Sequence, residues 1–283
     1  MSRIGLLHPG SMGISLAASA IATGHEVCWV SAGRSDSTRK RAEEHKLTEL
    51  ESLAQLCAQC EAIISICPPA ASEQIAQDVA ACGFSGLFLD ANAISPQRAA
   101  TIAATITTGG GRFVDGGIVG GPAWAQGKTF LHLSGTDAEE AAAWFRDGLL
   151  ETNVLGAGLT QASALKMCFA AYTKGTTALF YGILATADAL GVREALVHQW
   201  SLSAELAGPL AERAGKGAGG VTSRAWRWID EMQEISRTFE DAGLPGGFHA
   251  AAAEIFQRLE ALRDASDPNT DAVVAAMLAS GRS

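Results

Sequence analysis

The first half of the chain alternates short apolar runs with amphipathic stretches, and no other feature constrains the fold as much. Short apolar runs are typical of strands covered on both faces, and helical periodicity between them is typical of the crossovers in a parallel sheet. The predicted strands are Arg3–Leu7, Glu26–Ser31, Ala62–Cys67, Gly86–Asp90, Arg112–Asp115 and Thr129–Leu133. The predicted helices are Ser11–Thr23, Ser37–His45, Thr48–Gln59, Ala70–Cys82 and Pro96–Thr107. We therefore expect an α/β domain in which βαβ units form a parallel sheet.

The pattern changes near Thr152–Gly158, and from Leu159 onward the sequence shows only alanine-rich helical periodicity. Helix breaks are predicted at Gly191, Gly208-Pro209, Gly215–Gly220, Gly243–Gly247 and Asp267-Pro268. We therefore expect an α/β domain over residues 1–158 and an all-α domain over residues 159–283. A helix over Thr160–Leu190 would be about 45 Å long, which is too long for one small domain. It is predicted to join the two domains and to support a dimer.

Charge and apolar pattern argue against several classes of protein. The chain of 283 residues has a net charge of −9, so non-specific binding to nucleic acid or to anionic lipid is not expected. The most apolar long stretch, Ala164–Leu190, contains Lys166, Lys174 and Asp188, which disfavours a membrane span. The opening apolar run is too short for a secretion signal, and the expected location is the cytoplasm.

The six cysteines show no spacing that is typical of a disulfide framework. Cys57 and Cys60 form a C-x-x-C motif, which can mark a redox pair or half of a metal site. No second cysteine pair or histidine pair stands at metal-ligand spacing. We therefore interpret both cysteines as part of a helix that leads into the next strand, and no metal site is predicted.

The strongest local motif follows the first predicted strand and opens a helix of small residues. Gly10 stands where a backbone approaches a pyrophosphate, and Gly13 stands where the helix must pack closely on the sheet. His8 replaces the first glycine of the G-x-G-x-x-G pattern, and an ordinary turn between strand and helix is the alternative. The N–H groups at the helix start would point at the phosphates of a dinucleotide. The predicted cofactor-binding residues here are His8, Pro9, Gly10, Ser11, Met12 and Gly13.

The end of the second predicted strand indicates which dinucleotide is bound. Enzymes that use NAD(H) carry Asp or Glu there, against the ribose 2′-hydroxyl. Here the strand runs into Gly33-Arg34-Ser35, with no acidic residue before Asp36. A guanidinium and a hydroxyl suit a 2′-phosphate, so Gly33, Arg34 and Ser35 predict NADP(H) as the cofactor. The alternative is that Arg34 and Arg39 merely cap a helix exposed to solvent.

Six short motifs, in a fixed order, carry a resemblance to a known family. They are His8–Gly13, Gly33-Arg34-Ser35, Ile66-Cys67-Pro68, Asp90–Pro96, Asp115–Gly121, and Gly156-Ala-Gly158 leading to Lys166. With this order and spacing the chain resembles the β-hydroxyacid dehydrogenases, which include 3-hydroxyisobutyrate dehydrogenase and the 6-phosphogluconate dehydrogenases. It looks most like a branch with its own helical C-terminal domain. The resemblance covers roughly Ile4–Lys174.

The resemblance implies a Rossmann-type domain, a long interdomain helix, a helical domain and a homodimer. It implies that Lys166 is the catalytic general acid/base and that the backbone N–H groups of Gly120 and Gly121 hold a substrate carboxylate. The implied activity is reversible hydride transfer between NADP(H) and a small 3-hydroxy acid or related carbonyl compound. The family segments that line the cofactor are matched by Cys67, Pro68 and Asn92.

The chain departs from the family pattern at two positions. Val119 replaces the serine before the paired glycines, and Ala170 replaces an asparagine that helps to hold substrate. On a helix, Thr173 shares the face of Lys166, so its hydroxyl is predicted to contact substrate in the space that Ala170 leaves. Lys174 lies about 12 Å further along the helix axis than Lys166 and is predicted to hold a second anionic end of a longer substrate.

Other interpretations stay open. Lys166 lies in an apolar run, a setting that suits proton transfer to or from a hydroxyl, but it could also extend from an interface helix to water. Imine reductases resemble the same scaffold, although they usually carry another residue where this chain has Lys166. A nucleotide-binding sensor without catalysis is compatible with the altered Val119 and Ala170.

Overall fold

An eight-stranded sheet dominates the N-terminal part of the computed structural model, which describes residues 1–202, 220–266 and 268–279. The chain divides into two compact units, Met1–Cys168 and Phe169–Ser283. All eight strands lie in the first unit, and the described elements of the second unit are helices. The chain therefore combines a Rossmann-type α/β unit with an all-α unit, as the sequence predicts.

The strands are β1 (Arg3–Leu6), β2 (Glu26–Val30), β3 (Thr48–Leu50), β4 (Ala62–Ser65), β5 (Leu87–Asp90), β6 (Arg112–Gly120), β7 (Thr129–Ser134) and β8 (Glu151–Gly156). Their order across the sheet is β3-β2-β1-β4-β5-β6-β7-β8. Neighbouring strands are parallel except β6 and β7, which are antiparallel. The strand order reverses direction between β1 and β4. Sheets of this kind bind ligands outside the carboxyl ends of the strands at such a reversal.

Helices follow most of the strands. They are α1 (Ser11–Ala22), α2 (Asp36–Glu44), α3 (Leu53–Gln59), α4 (Ser72–Ala81), α5 (Pro96–Thr108), α6 (Ala138–Ala143) and α7 (Gln161–Ala189). At 29 residues, α7 is roughly 44 Å long and confirms the long helix predicted over Thr160–Leu190. The sequence boundary near Gly158 falls between β8 and α7, whereas the two compact units divide after Cys168, within α7.

Two buried apolar clusters cover the two faces of the sheet. Alternate residues of β4 belong to different clusters, with Ile64 in one and Ile63 in the other. This follows from the two-residue period of a strand, whose side chains point alternately to opposite faces. The near-continuous apolar runs of the sequence therefore have a structural reason, since helices cover both faces of the sheet.

The structure differs from the predicted elements in the less apolar parts of the sheet. The helix predicted over Thr48–Gln59 is wrong at its start, because Thr48–Leu50 is the edge strand β3 and α3 begins at Leu53. The pairing of β3 with β2 decides this, and local periodicity does not reveal it. The strand predicted over Arg112–Asp115 continues to Gly120. Strand β8 and helix α6 were not predicted, and β8 opens with the polar residues Glu151, Thr152 and Asn153.

In the second unit α7 is followed by α8 (Arg193–Leu202), α9 (Thr222–Asp241), α10 (Gly247–Gln257) and α11 (Thr270–Ala279). Two glycines let α7 approach α10, since a Cβ at Gly175 would lie 3.1 Å from Phe248 and one at Gly182 would lie 3.3 Å from Ile255. None of the described helices is both long and apolar enough to cross a membrane. Of the predicted breaks, those at Gly208-Pro209, residues 215–219 and Asp267 lie outside the described residues.

Candidate active site

The loop between β1 and α1 lies at the sheet reversal, and two glycines shape it. A Cβ at Gly13 would lie 2.2 Å from the carbonyl oxygen of His8 and 3.0 Å from Ile66, so α1 packs this closely only with glycine there. A Cβ at Gly10 would meet nothing within 4 Å, so the backbone faces open space. Gly10 is the N-cap of α1 and supplies no side-chain cap. The first N–H groups of α1, which begins at Ser11 and Met12, are placed to bind an anion.

His8 and Arg34 lie close together at this loop. Arg34 Nη2 donates to the Leu7 carbonyl at 3.0 Å, whereas Arg34 Nε and His8 Nδ1 are buried without a hydrogen-bond partner among the described residues. Burial and then the charge of Arg34 lower the pKa of His8 to about 4, so His8 is neutral at pH 7. Buried polar atoms normally find partners. Unpaired nitrogens beside a glycine loop therefore fit a site for an anionic dinucleotide.

The predicted 2′-phosphate segment adjoins that loop. Gly33 has φ +71°, a backbone conformation that favours glycine, and it turns the chain between β2 and α2. Ser35 is the N-cap of α2 and accepts a hydrogen bond from Thr38 N at 3.4 Å. Arg34 is turned toward β1 and does not cap α2. Arg41 Nε donates to the Pro9 carbonyl at 3.3 Å, which ties α2 to the loop between β1 and α1.

The structure adds an acidic residue that the sequence analysis missed. Strand β3 places Glu49 opposite Trp29 of β2, and Ser31 Oγ donates a short hydrogen bond to the Glu49 carboxylate. Glu49 is exposed and lies beside the end of β2, where dinucleotide-binding folds of this kind carry the residue that contacts the ribose. The sequence pointed to it only through the run Thr48-Glu49-Leu50, which was included in the predicted helix Thr48–Gln59. A carboxylate here opposes the binding of a 2′-phosphate by like-charge repulsion.

Asn92 is buried just after β5, and its side chain forms hydrogen bonds at the end of the neighbouring strand β4. Its Oδ1 accepts from Cys67 N at 2.6 Å, and its Nδ2 donates to Ser65 Oγ at 3.2 Å. The side chain therefore joins the end of β5 to the Cys67-Pro68 segment after β4. Burial is the main cause that raises the pKa of the Cys67 thiol to about 12. Of the three residues predicted to line the cofactor here, Cys67 and Pro68 are partly accessible, whereas Asn92 shapes the segment from below.

The start of α7 is seated on β6. A Cβ at Gly117 would lie 2.5 Å from the Ala162 carbonyl oxygen and 3.0 Å from Lys166 Cβ, so the two elements are in close contact at this glycine. Asp115 Oδ2 accepts from Ser163 N at 2.8 Å, and its Oδ1 accepts from Ser163 Oγ at 2.5 Å. The carboxylate thus pairs with backbone at the first turn of α7, where negative charge is stabilising. Lys166 is half-buried on the following turn.

Gly120 ends the same strand that carries Gly117, and Gly121 follows it. Gly120 has φ +111°, and a Cβ there would lie 2.2 Å from the Lys128 carbonyl oxygen, so the strand leaves the sheet only with glycine at this position. A Cβ at Gly121 would meet nothing within 4 Å. At about 3.3 Å per residue, Gly120 stands roughly 10 Å along the strand from Gly117. One strand therefore carries both the glycine turn and the seat of Lys166.

The other two predicted substrate residues lie in the second unit. Thr173 is exposed, and its Oγ1 donates to the Phe169 carbonyl at 3.2 Å, as hydroxyls in helices often do. Lys174 forms an ion pair with Glu231, and both side chains are largely buried. The Trp228 ring lies 5.9 Å from Lys174 Nζ. This pairing offsets the charge of Lys174 and so opposes its predicted role in holding a second anionic end of a longer substrate, which stays a prediction.

The two cysteines of the C-x-x-C motif are buried in an apolar cluster. Burial is the main cause that raises the pKa of the Cys57 thiol to about 12, which is opposite to the shift that a reactive thiol needs. Within the described part of the chain, no cluster of three or more histidine, cysteine, aspartate or glutamate side chains is placed to hold a metal ion.

Comparison with protein-family models identifies both parts of the chain. Residues 3–146 match the model described as the NAD-binding domain of 6-phosphogluconate dehydrogenase. Residues 187–259 match a domain of unknown function, DUF1932. The first match covers just over half of the 283 residues. No curated protein sequence matches the chain.

Several solved structures share the fold over nearly the whole chain. A conserved protein of unknown function, described as structurally similar to 3-hydroxyacid dehydrogenases, is 28% identical, with a TM-score of 0.68 over 92% of this chain and 98% of that one. The 3-hydroxyisobutyrate dehydrogenase of Mycobacterium tuberculosis, solved with L-serine, is 19% identical, with a TM-score of 0.67 over 98% and 99%. An imine reductase from Myxococcus stipitatus, solved with NADP+, is 18% identical, with a TM-score of 0.58 over 98% and 99%.

Proposed function

The chain belongs to the family defined by the NAD-binding domain of 6-phosphogluconate dehydrogenase, and we propose that it transfers hydride between NADP(H) and a small 3-hydroxy acid or related carbonyl compound. Family membership supports an oxidoreductase of the hydroxyacid dehydrogenase type that uses NAD(P). The observation that carries the finer proposal is the contact of α7 with β6, which brings Lys166 to the strand that ends at Gly120 and is followed by Gly121. A proton donor and a glycine turn for the carboxylate are the minimum that a hydroxy-acid site needs.

The proposed roles follow from the chemistry of each group. Lys166 Nζ would take the proton of the substrate hydroxyl during oxidation and return it during reduction. The backbone N–H groups of Gly120 and Gly121 would hold the substrate carboxylate, since successive N–H groups in such turns bind anions. Thr173, on the same face of α7 by helical spacing, would contact the remainder of the substrate. When bound, the nicotinamide accepts or supplies the hydride.

We propose NADP(H) as the preferred cofactor. Arg34 and His8 would hold phosphate through their unpaired nitrogens, and Gly10 leaves the pyrophosphate room to approach the backbone. The proposed cofactor site is completed by Met12, Gly13, Gly33, Ser35, Cys67 and Pro68. Asn92 supports this site from below through its hydrogen bond with the backbone of Cys67. Glu49 opposes this preference, but Arg34 would have the larger effect because its guanidinium is held by the Leu7 carbonyl and is partly buried.

Turnover by the purified protein tests the activity. We expect NADPH oxidation with small 3-oxo acids and the reverse reaction with 3-hydroxy acids. The fluorescence of NADPH measures both reactions. Reduction that requires a ketone together with an amine would instead favour the imine reductase alternative. If the protein binds NADPH tightly but turns over no carbonyl, hydroxy-acid or imine substrate, the proposal that it is an enzyme is contradicted and the sensor alternative is favoured.

We also propose that residues 1–158 bind NADP(H) and that residues 159–283 bind substrate and form a homodimer. The support for the dimer is an apolar groove of about 490 Å³ in the second unit. It is lined by Leu179 and Ile183 of α7, which are 46% and 39% exposed, and by Leu190 just after that helix, which is 71% exposed. Phe248 of α10, which is 50% exposed, also lines it. Exposed apolar surface of this kind is typical of subunit interfaces.

Light scattering at micromolar concentration tests the dimer. We expect twice the 29.3 kDa mass for the native chain and the monomer mass for Ile183→Glu. Leu244→Glu is the matched control, because Leu244 is also exposed and apolar in this unit but does not line the groove. A native monomer contradicts the proposal.

The proposed location is the cytoplasm, which the six free cysteines support because thiols stay reduced there.

A further inference from the structure

Two buried carboxyl groups lie next to each other behind the candidate site. Asp90 ends β5 and is paired in register with Asp115 of the parallel strand β6. Both residues are only 1% exposed. Residues paired in register project to the same face of a sheet, so the two carboxyl groups share one side of it. No role in binding or proton transfer proposed above uses either group.

The two carboxyl groups have different surroundings. Asp115 accepts hydrogen bonds from the Ser163 N–H and Oγ–H and from Ser134 Oγ, the last at 3.1 Å. Asp90 Oδ1 accepts from Asn92 N at 2.9 Å, but its Oδ2 is buried without a partner among the described residues. Three donors on Ser163 and Ser134 stabilise a negative charge on Asp115, whereas Asn92 alone stabilises one on Asp90. The two groups therefore hold one proton between them, and it resides on Asp90.

Each carboxyl group is connected to a different part of the site. Asp115 holds the first turn of α7, and it lies two residues before Gly117, which contacts Lys166 Cβ. Asp90 holds the backbone of Asn92, whose side chain binds the backbone of Cys67 in the segment proposed to line the cofactor. The pair thus stands between the cofactor segment after β4 and the helix that carries Lys166.

We propose that Asp90 and Asp115 are positioning residues, and that the seat of Lys166 on β6 requires one proton on this pair. When both carboxyl groups are ionised, their repulsion displaces the first turn of α7 from β6 and moves Lys166. This inference rests on the proposed function for its catalytic consequence but not for its structural one.

The acidities of the pair agree with this geometry. Burial raises the pKa of Asp90 to about 7, and the charge of Asp115 acts in the same direction. Burial also raises the pKa of Asp115, although the hydrogen bonds from Ser163 and Ser134 oppose it. The titratable groups that interact with Asp90 are Asp115 on β6 and Cys67 after β4. The proton on the pair is therefore lost near neutral pH.

The sign of the pH effect on stability follows. An unfolded aspartate releases its proton near pH 4, whereas folded Asp90 holds it until about pH 7. Between these values the folded protein binds more protons, so stability falls as pH rises, and the loss is complete above about pH 7. His8 acts in the opposite direction, because its lowered pKa of about 4 makes stability rise with pH up to about 6.5. Comparison of a variant with the native chain at each pH cancels the contribution of His8.

Thermal unfolding of the intact chain tests the pair without any substrate. Asp90→Asn keeps the shape and the acceptor for Asn92 but carries no charge. We expect its midpoint relative to the native chain to rise by about 5 °C between pH 5 and pH 8. Asp78→Asn, on the exposed face of α4, is the matched control and should show no such trend. A midpoint difference that does not change with pH would overturn the proton-sharing pair.

Chemical labelling tests the seat of Lys166, again without turnover. Acetylation of Lys166 relative to exposed Lys40 is measured by peptide mass spectrometry from pH 6 to pH 8. We expect this ratio to rise about threefold more in the native chain than in Asp90→Asn, because only the native pair gains a second charge. Ser163→Ala, which removes one donor to Asp115, should raise the ratio already at pH 6. Equal ratios in all three proteins would overturn the positioning role.

Kinetics then separates this inference from the proposed function. If the chain turns over a 3-hydroxy acid, kcat of Asp90→Asn relative to the native chain should rise severalfold from pH 6 to pH 8 while the KM for NADPH stays constant. A ratio independent of pH would contradict positioning while leaving the activity in place. Absence of turnover would contradict the proposed function alone, since the unfolding and labelling results stand without it.

Discussion

The two ends of the candidate site are built in different ways. The phosphate loop is held by contacts between close neighbours in sequence, since Gly13 packs on the carbonyl of His8 and Gly10 N donates to the same carbonyl at 2.8 Å. The seat of Lys166 joins distant segments, because Ser163 binds Asp115, 48 residues earlier, and Ala162 N binds Ser134 Oγ, 28 residues earlier. The first end is a local motif, and the second exists only after the sheet has formed.

This difference predicts different consequences of substitution. Changes in the loop should alter cofactor affinity or local packing and leave the intrinsic rate intact. Changes at the seat of α7 should alter the rate and leave cofactor affinity intact. Substitutions at the two ends test this division.

The largest effect is expected for Lys166→Met. Removing a positioned proton donor should lower kcat by about 10²–10⁴-fold, while NADPH affinity stays within about twofold of the native value. Met keeps the length and the apolar stem of the side chain, so the packing on Gly117 should survive. Stopped-flow turnover and a fluorescence titration measure the two quantities. Full activity of the Lys166→Met variant would contradict the role of Lys166 as the acid/base, and Tyr172 would be the next proton donor to test.

A pair of glycine substitutions probes the loop itself. Gly13→Ala should destabilise the protein by about 3 kcal/mol, because the new Cβ would lie 2.2 Å from a backbone oxygen that cannot move freely. Gly10→Ala should leave stability nearly unchanged, since nothing lies within 4 Å, yet it should weaken NADPH binding by crowding the pyrophosphate. Urea unfolding and cofactor titration separate the two. Equal loss of stability in both variants would contradict the assigned roles.

Arg34→Asp addresses the choice of cofactor. We expect the native chain to bind NADPH at least about tenfold more tightly than NADH, since a charge-assisted contact with phosphate contributes about 1.5–3 kcal/mol. The variant should reverse the preference, as judged by fluorescence titration with both cofactors. Arg146→Asp, an exposed arginine of the same unit, makes the same change of net charge and should leave the preference intact. Equal native affinities for the two cofactors would remove the interpretation of Gly33-Arg34-Ser35.

The smallest effect is expected for Glu49→Gln. The variant keeps an acceptor for Ser31 and removes a negative charge beside the end of β2. NADPH affinity should rise about twofold to fivefold and NADH affinity should stay constant, since one exposed charge contributes only about 0.5–1 kcal/mol and is screened by salt. The gain should shrink in high salt. Glu51→Gln is the control, because Glu51 is also exposed and lies two residues further along the chain. A similar gain in NADPH affinity there would show that the effect of Glu49 comes from the overall charge of the protein and not from its position.

The success of the sequence analysis follows the same division. The alternation of apolar runs predicted six of the strands of the first unit, and the glycine pattern predicted the close packing at Gly13 and the open backbone at Gly10, because both signals lie within short stretches of chain. The prediction failed at β3 and β8, where polar residues form strands only because β2 and β7 offer hydrogen-bond partners. Glu49 was missed for this reason, although it lies beside the predicted 2′-phosphate segment.

Residue types and their spacing by themselves determined the α/β unit, the long helix and the glycine loop, since helical and strand periods and backbone freedom act over a few residues. Only the tertiary structure decided that Glu231 neutralises Lys174, that Asn92 is buried below the cofactor segment, and that Asp90 and Asp115 adjoin. The free energy of a charge depends on what surrounds it in space, and the packing of distant segments decides those surroundings. Charge partners and burial are therefore decided by strand register and helix packing, which no short stretch of sequence specifies.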